Sequence, residues 1–165
     1  MKRERKLKFT AALICALLLL TLLCACGNGG AAAKDVPVSD ITAAVSAALD
    51  KSDSLVESDG MFLGLTKQGA EQIGDHAVLI NVYGTNIDEY GVFKAGGMSA
   101  KDLKAVADDY LAKRLASWME EYMPEEKPKL TNAEVRVSGD YVMYCILSDA
   151  DKATAFQAFE TAVKG

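Results

Sequence analysis

One histidine, one tryptophan and three prolines are spread over 165 residues, and aromatic residues make up only 7% of the chain. His76 stands alone: no second histidine, no HExxH and no CxxC accompanies it, so a zinc enzyme lacks its ligands. An ordinary loop or surface role is expected for it, after Gly74-Asp75 at the start of a strand. No serine has a GxSxG setting, and neither GxGxxG nor a P-loop lysine follows Gly96-Gly97, which removes serine hydrolases and phosphate loops. The alternating oxygen ligands, central glycine and terminal glutamate of an EF-hand are also missing. No metal, cofactor or catalytic residue is therefore assigned. Basic residues are scarce in the body of the chain. The first 25 residues hold five of the 18 basic residues and one of the 23 acids, which leaves 13 against 22 and a net charge of −9. A body that acidic lacks the basic face that nucleic acid requires.

The N-terminus is different. Met1 to Lys8 is basic, Phe9 to Leu23 is uncharged and rich in leucine and alanine, and small residues follow. These are the three parts of a secretory signal. As a helix the apolar run would reach about 22 Å, short of a ~30 Å hydrocarbon core. Leu23-Cys24-Ala25-Cys26-Gly27 looks like a bacterial lipobox, with a leucine three residues before Cys26 and a small residue just before it. The expectation is cleavage between Ala25 and Cys26, a diacylglycerol (palmitate-type) anchor on the Cys26 sulfur, and a body held at the cell membrane facing outside the cytoplasm. Cys24 follows the bulky Leu23 and is the poorer choice. An uncleaved signal anchor is the alternative. Cys15 and Cys24 would leave with the signal, so Cys145 remains alone, without a disulfide partner, inside an apolar run as a small buried hydrophobe.

The chain then divides into a signal peptide (1–25), a flexible tether (26–36) and one domain (37–165). Ser39 or Asp40 can cap a helix with Ile41, Val45, Ala48 and Leu49 at helical spacing, ending near Lys51. Glu57 to Gly60 reads as turn, and Thr66 to Ile73 as one short helix despite Gly69. Ala77 to Tyr83 and Asp88 to Ala95 form a first hairpin, with Gly91 as a possible bulge position. Ser99 and Asp102 open a helix predicted to run to Met123, where Pro124 ends it. Its stripe is Leu103, Val106, Ala107, Tyr110, Leu111, Trp118 and Tyr122. A second hairpin joins an alternating strand, with Ala133, Val135 and Val137 inward, to Tyr141–Leu147, which is apolar on both faces and so central. A last helix buries Phe156, Phe159 and Val163. The predicted fold is α+β, an antiparallel four-stranded sheet with helices on one face.

From Asp88-Glu89-Tyr90-Gly91-Val92-Phe93-Lys94-Ala95 onward, the order of motifs carries a resemblance. A long helix with Arg114-Leu115 closes on Tyr122-Met123-Pro124. The Gly139-Asp140-Tyr141-Val142 turn, an apolar strand and a terminal helix follow. This half of the chain resembles a family of small bacterial lipoproteins known as domain of unknown function 4358, and Val38 to Tyr83 resembles it more loosely. The resemblance implies the lipoprotein and α+β readings and brings no activity with it.

Asp108-Asp109, Glu120-Glu121, Glu125-Glu126 and Asp149/Asp151 could serve acid–base work or bind cations. Neighbours on a helix point about 100° apart, so a solvated face is the simpler reading. Arg114 falls within the apolar stripe, four residues from both Tyr110 and Trp118. Either it pairs with an acid from another element, or Tyr110, Arg114 and Trp118 form a surface for a ligand or partner. The leading functional reading is a lipid-anchored, non-catalytic binding domain meeting an envelope protein or small ligand. The alternatives are a cell-wall enzyme or its accessory subunit using carboxylates, and a transporter-associated lipoprotein.

Overall fold

The structure is a computed structural model that describes residues 35–51 and 53–164. The predicted signal, Cys26 and all of the tether except Asp35 and Val36 lie outside the described residues. The elements are α1 (Val38–Leu49), β1 (Leu55–Glu57), α2 (Gly60–Thr66), α3 (Ala70–Ile73), β2 (His76–Asn81), β3 (Glu89–Lys94) and α4 (Ala100–Ala116). A 3-10 turn (Pro124–Glu126), α5 (Lys127–Thr131), β4 (Glu134–Ser138), β5 (Tyr141–Ile146) and α6 (Asp149–Lys164) follow. No helix among the described residues is long and apolar enough to cross a membrane.

The fold is α+β around an antiparallel sheet, but the sheet has five strands rather than four, in the order β1-β2-β3-β5-β4. The added strand is β1. Its three residues carry too short a pattern to read alone, and its ladder comes from β2, with Leu55 opposite Asn81 and Glu57 opposite Leu79. The helices also cover both faces, not one. Along β5, Tyr141, Met143 and Cys145 join a core with Ile41 and Val45 of α1 and Phe156, Phe159 and Val163 of α6. The alternate residues Val142, Tyr144 and Ile146 join a second core with Phe62 of α2, Ile73 of α3, Leu103, Ala107 and Tyr110 of α4 and Leu130 of α5. A central strand that is apolar at every position needs a cover on each side, because successive side chains point to opposite faces.

Local chemistry sets the boundaries. Of the predicted 66–73 helix only Thr66, the last residue of α2, and Ala70–Ile73 (α3) are helical: Lys67 takes φ 57° to close α2, and Gly69 is extended ahead of α3. Ser99 caps α4, its Oγ accepting from the Asp102 amide at 3.2 Å, as the spacing predicted. The helix ends at Ala116 and not Met123, because the chain turns through 117–123 and Met123 itself adopts φ 46°. Gly91 is no bulge: the register runs through it without a break, opposite Val78 on one side and Tyr144 on the other. It is a glycine because the Tyr144 ring lies where a Cβ would stand, with two Phe93 ring carbons 3.0 Å from that point. In β4 the inward expectation holds for Ala133 and Val135, whereas Val137 is 45% exposed.

Cys145 is fully buried as expected, and burial pushes its thiol well up, which makes it a packing residue and not a nucleophile. Gly91→Ala should destabilise the domain by about 1–3 kcal/mol through overpacking against Tyr144 and Phe93. Urea unfolding followed by circular dichroism would measure it, and an unchanged midpoint would mean that the rings move aside at no cost.

Candidate functional site

Two adjacent acids at the start of β3, Asp88 and Glu89, are 3% and 2% exposed. Acids are almost never buried without partners, and each of these has its own set. Because strand neighbours point to opposite faces, the two carboxylates are neutralised separately.

Glu89 points into the core formed with α4. Tyr110 Oη donates to its Oε1 at 2.5 Å, and Tyr144 Oη donates to the same oxygen at 2.6 Å. Oε2 receives Arg114 Nη2 at 3.2 Å. The guanidinium carbon of Arg114 stands 5.9 Å from the Tyr110 ring centre, within cation–π range. Burial, and then the Glu89 charge, drive the Tyr110 and Tyr144 phenols far above their ordinary value, so both remain proton donors. Tyr144 also stacks with Phe62 and Phe93, at centroid distances of 5.8 and 5.9 Å. The carboxylate is thus held on both oxygens inside an aromatic shell and does not open to solvent.

Asp88 meets two lysines. Lys129 of α5 donates to Oδ1 at 2.7 Å and Lys51, just after α1, to Oδ2. Lys51 also reaches Asp151 of α6 at 2.8 Å, and Lys129 reaches Glu126 at 2.7 Å. Glu126 Oε2 accepts from the Ile87 amide at 2.9 Å. One chain of alternating charges therefore joins α1, the start of β3, α5 and α6.

Of the three residues predicted as a ligand or partner surface, Tyr110 is wholly buried and Arg114 is 15% exposed at its side chain, tied to Glu89. The Arg114 arrangement is that of an arginine paired with an acid from another element. Trp118 is half-buried, its ring 6.3 Å from that of Tyr122. Near the end of α4 and in the turn after it, apolar side chains stand in solvent: Leu115, Met119 (65% exposed) and Tyr122, while Met61 of α2 lies on Arg114. Arg114 Nε and Trp118 Nε1 are shut off from solvent without an acceptor among the described residues.

The other acids are not brought together. Asp108 and Asp109 pair with Lys104 and Lys113 one turn away, Glu120 with Lys127 and Asp149 with Lys152. No group of three metal-ligating side chains occurs among the described residues. His76 hydrogen-bonds the Gly74 carbonyl through Nδ1 at 2.7 Å and stacks on Phe93. The buried pair Asp88-Glu89 entered the sequence reading only as a motif opening a strand. The available signal was an acid one residue before Tyr90 in a segment otherwise apolar on both faces.

Glu89→Gln should cost about 3–5 kcal/mol by leaving the Arg114 charge buried without its counterion. The double variant Glu89→Gln/Arg114→Met should recover a large part of that loss in urea unfolding; equal losses in the single and double variants would sink the ion-pair account.

The Asp88 chain gives the pH response. Burial raises the Asp151 carboxyl, but hydrogen bonds from Lys51 and Ser148 outweigh it and hold the group below its ordinary 3.8. Burial lowers Lys51 and Lys129, and hydrogen bonds to Asp151, Asp88 and Glu126 outweigh it, leaving both above 10.5. A depressed carboxyl contributes stability above its unfolded value and loses it as pH falls through the folded one. A raised lysine contributes below its unfolded value and loses it as pH rises through the folded one. Stability should therefore fall on the acid side below about pH 4 and on the basic side above about pH 10.5. Lys51→Met should flatten both limbs of the urea midpoint plotted against pH, and unchanged limbs would refute this assignment.

No curated protein and no solved structure gave a match to this chain. Residues 71–147, from α3 through β2, β3, α4, α5 and β4 to the end of β5, match the family described as domain of unknown function (DUF4358).

Proposed function

We propose that the protein is a lipoprotein anchored through Cys26 at the cell membrane and facing outside the cytoplasm, and that its domain binds an envelope protein or a small ligand without catalysing a reaction. The observation that carries the binding reading is the exposure of Leu115 near the end of α4 and of Met119 and Tyr122 in the turn that follows, with Tyr122 beside the half-buried Trp118. Methionine and aromatic residues are enriched in the cores of protein interfaces, and a cluster of them in solvent marks an interaction surface.

The buried carboxylates support the non-catalytic part. A general acid or base must come within hydrogen-bond reach of a substrate atom. Glu89 has both oxygens engaged by Tyr110, Tyr144 and Arg114, and Asp88 both oxygens engaged by lysines. The anchor reading rests on the basic start, the apolar run and the Leu23–Cys26 motif.

Crosslinking in intact cells tests both parts. The native protein should incorporate labelled palmitate and fractionate with membranes, and Cys26→Ala should lose both properties. Met119→Glu should leave the anchor and the unfolding midpoint intact while reducing the yield of one specific crosslinked adduct about tenfold. An adduct pattern identical in wild type and Met119→Glu would remove the α4 surface from the reading, and retention of label in Cys26→Ala would remove the anchor.

A further inference from the structure

The sheet ends on β4, and its outer edge meets no strand among the described residues. The β4–β5 hairpin has a two-residue loop, Gly139–Asp140, closed by Ser138 opposite Tyr141. Gly139 takes φ 58° at the first loop position, as the type II′ hairpin turn demands. In such a hairpin the closing residues bond each other, and bonding alternates from there along an antiparallel ladder. Ser138, Arg136 and Glu134 therefore direct their amide and carbonyl groups to β5, and Val137 and Val135 direct theirs away from the sheet. The neighbouring ladder agrees: the Ala95 amide donates to the Asp140 carbonyl at 2.7 Å, and the Asn81 amide to that of Asp88 at 2.9 Å, which fixes the same alternation across β3.

An edge of this kind is normally blunted by charge. Here the charges are of opposite sign two residues apart, Glu134 and Arg136, on the α6 side of the sheet; within one chain Arg136 Nε bonds Glu134 Oε1 at 2.7 Å and Nη1 reaches Glu160 at 3.5 Å, and its guanidinium lies 4.2 Å from the centre of the Phe156 ring. That spacing is self-complementary. If two β4 strands meet antiparallel about a two-fold axis through Val135, Glu134 of each copy stands opposite Arg136 of the other. Val135 then faces Val135, and the 45%-exposed Val137 faces Ala133. The backbone suits this register, because Val135 can exchange both of its bonds with its counterpart and the Val137 amide can reach the Ala133 carbonyl. The Ala133 amide is already bound to the Leu130 carbonyl at 3.2 Å and asks for nothing. Shifting the axis to Arg136 would set two arginines face to face, and shifting it to Val137 would shorten the ladder and set Arg136 opposite Ser138. Like charges directly opposite destabilise a strand pair and unlike charges stabilise it, so the edge charges select one register.

We propose that the outer edge of β4 is a self-association surface, pairing with the same edge of a second copy of this chain about a two-fold axis at Val135 to make one continuous sheet. An interface of this kind is isologous and closes at two copies. It uses a different surface from the end of α4 and stands or falls independently of that reading and of the Cys26 anchor.

Charge exchange tests it on the full chain in mild detergent, followed by sedimentation velocity over a wide concentration range. Wild type should dimerise reversibly. Glu134→Arg and Arg136→Glu should each weaken dimerisation about tenfold or more, and Glu134→Arg/Arg136→Glu, which restores opposite charges across the axis, should bring it back to within about threefold of wild type. Val137→Pro, which removes an outward amide at a position where an edge strand tolerates proline, should abolish dimerisation, with far-UV circular dichroism showing the fold retained. A wild-type chain that stays monomeric at every concentration overturns the proposal. So does a dimer insensitive to the single exchanges and to Val137→Pro, or a double exchange that fails to restore what folded single variants lose.

Discussion

The constraint on which this structure depends is the burial of two consecutive carboxylates where the central strand β3 begins. A strand sends neighbours to opposite faces, so Asp88 and Glu89 cannot share one counterion. Glu89 draws Arg114 and Tyr110 of α4 down onto β3 and β5. Asp88 draws the end of α1, and α5, toward the same strand, and Lys51 carries the connection on to α6. Removing two charges from water is expensive, and the outcome is favourable only when the geometry is good and the remaining lone pairs are satisfied. Here each carboxylate oxygen of both residues has a donor. A helix displaced by a few ångströms would leave a charge stranded without its counterion.

Aromatic packing makes the same selection on the α4 side. Phe62, Phe93, Tyr110 and Tyr144 form a cluster of tilted and stacked rings with centroid separations from 4.8 to 5.9 Å. The cluster can close only because residue 91 has no side chain. Gly91 and Glu89 lie two apart on one face of β3, so the strand offers the tyrosines first a flat place for a ring and then an acceptor for a hydroxyl. On the opposite face Tyr90 follows the same logic with α1. Its hydroxyl is 2.7 Å from Ser46 Oγ and 3.1 Å from the Thr42 carbonyl oxygen, and burial pushes the phenol up to about 12.

The elements with strong periodicity were legible from the chain alone: α1, β2, β3, most of α4, the β4–β5 hairpin and α6. The cap at Ser99 and the interior place of β5, bonded on both sides, were legible too. What escaped is what tertiary partners create. β1 is a strand because β2 offers it a ladder, and three residues have no period to detect. The second helical layer follows from β5 being apolar at every position, a feature recognised as central without its consequence for the number of layers. Helix α4 stops short because the residues after Ala116 serve the turn that brings Glu126 to the Ile87 amide and Lys129 to Asp88. The candidate site divides in the same way. Arg114 was legible because a charge inside an apolar stripe must find a partner. Glu89 was not, because one acid at the end of a strand looks like ordinary turn chemistry until the opposing tyrosines are in place.

The Tyr141 hydroxyl lies 2.7 Å from the Val36 amide nitrogen and 2.8 Å from the Val36 carbonyl oxygen, gripping the backbone just ahead of Pro37 and α1. Tyr141 opens β5, the strand at the middle of both cores. Tension applied through the residues before Val36 therefore reaches the sheet directly, without first peeling α1 from the surface. The grip acts as a strain relief at the point where the chain enters the domain. A load arriving there meets β5, which is bonded to β3 on one side and to β4 on the other, before it meets the helix.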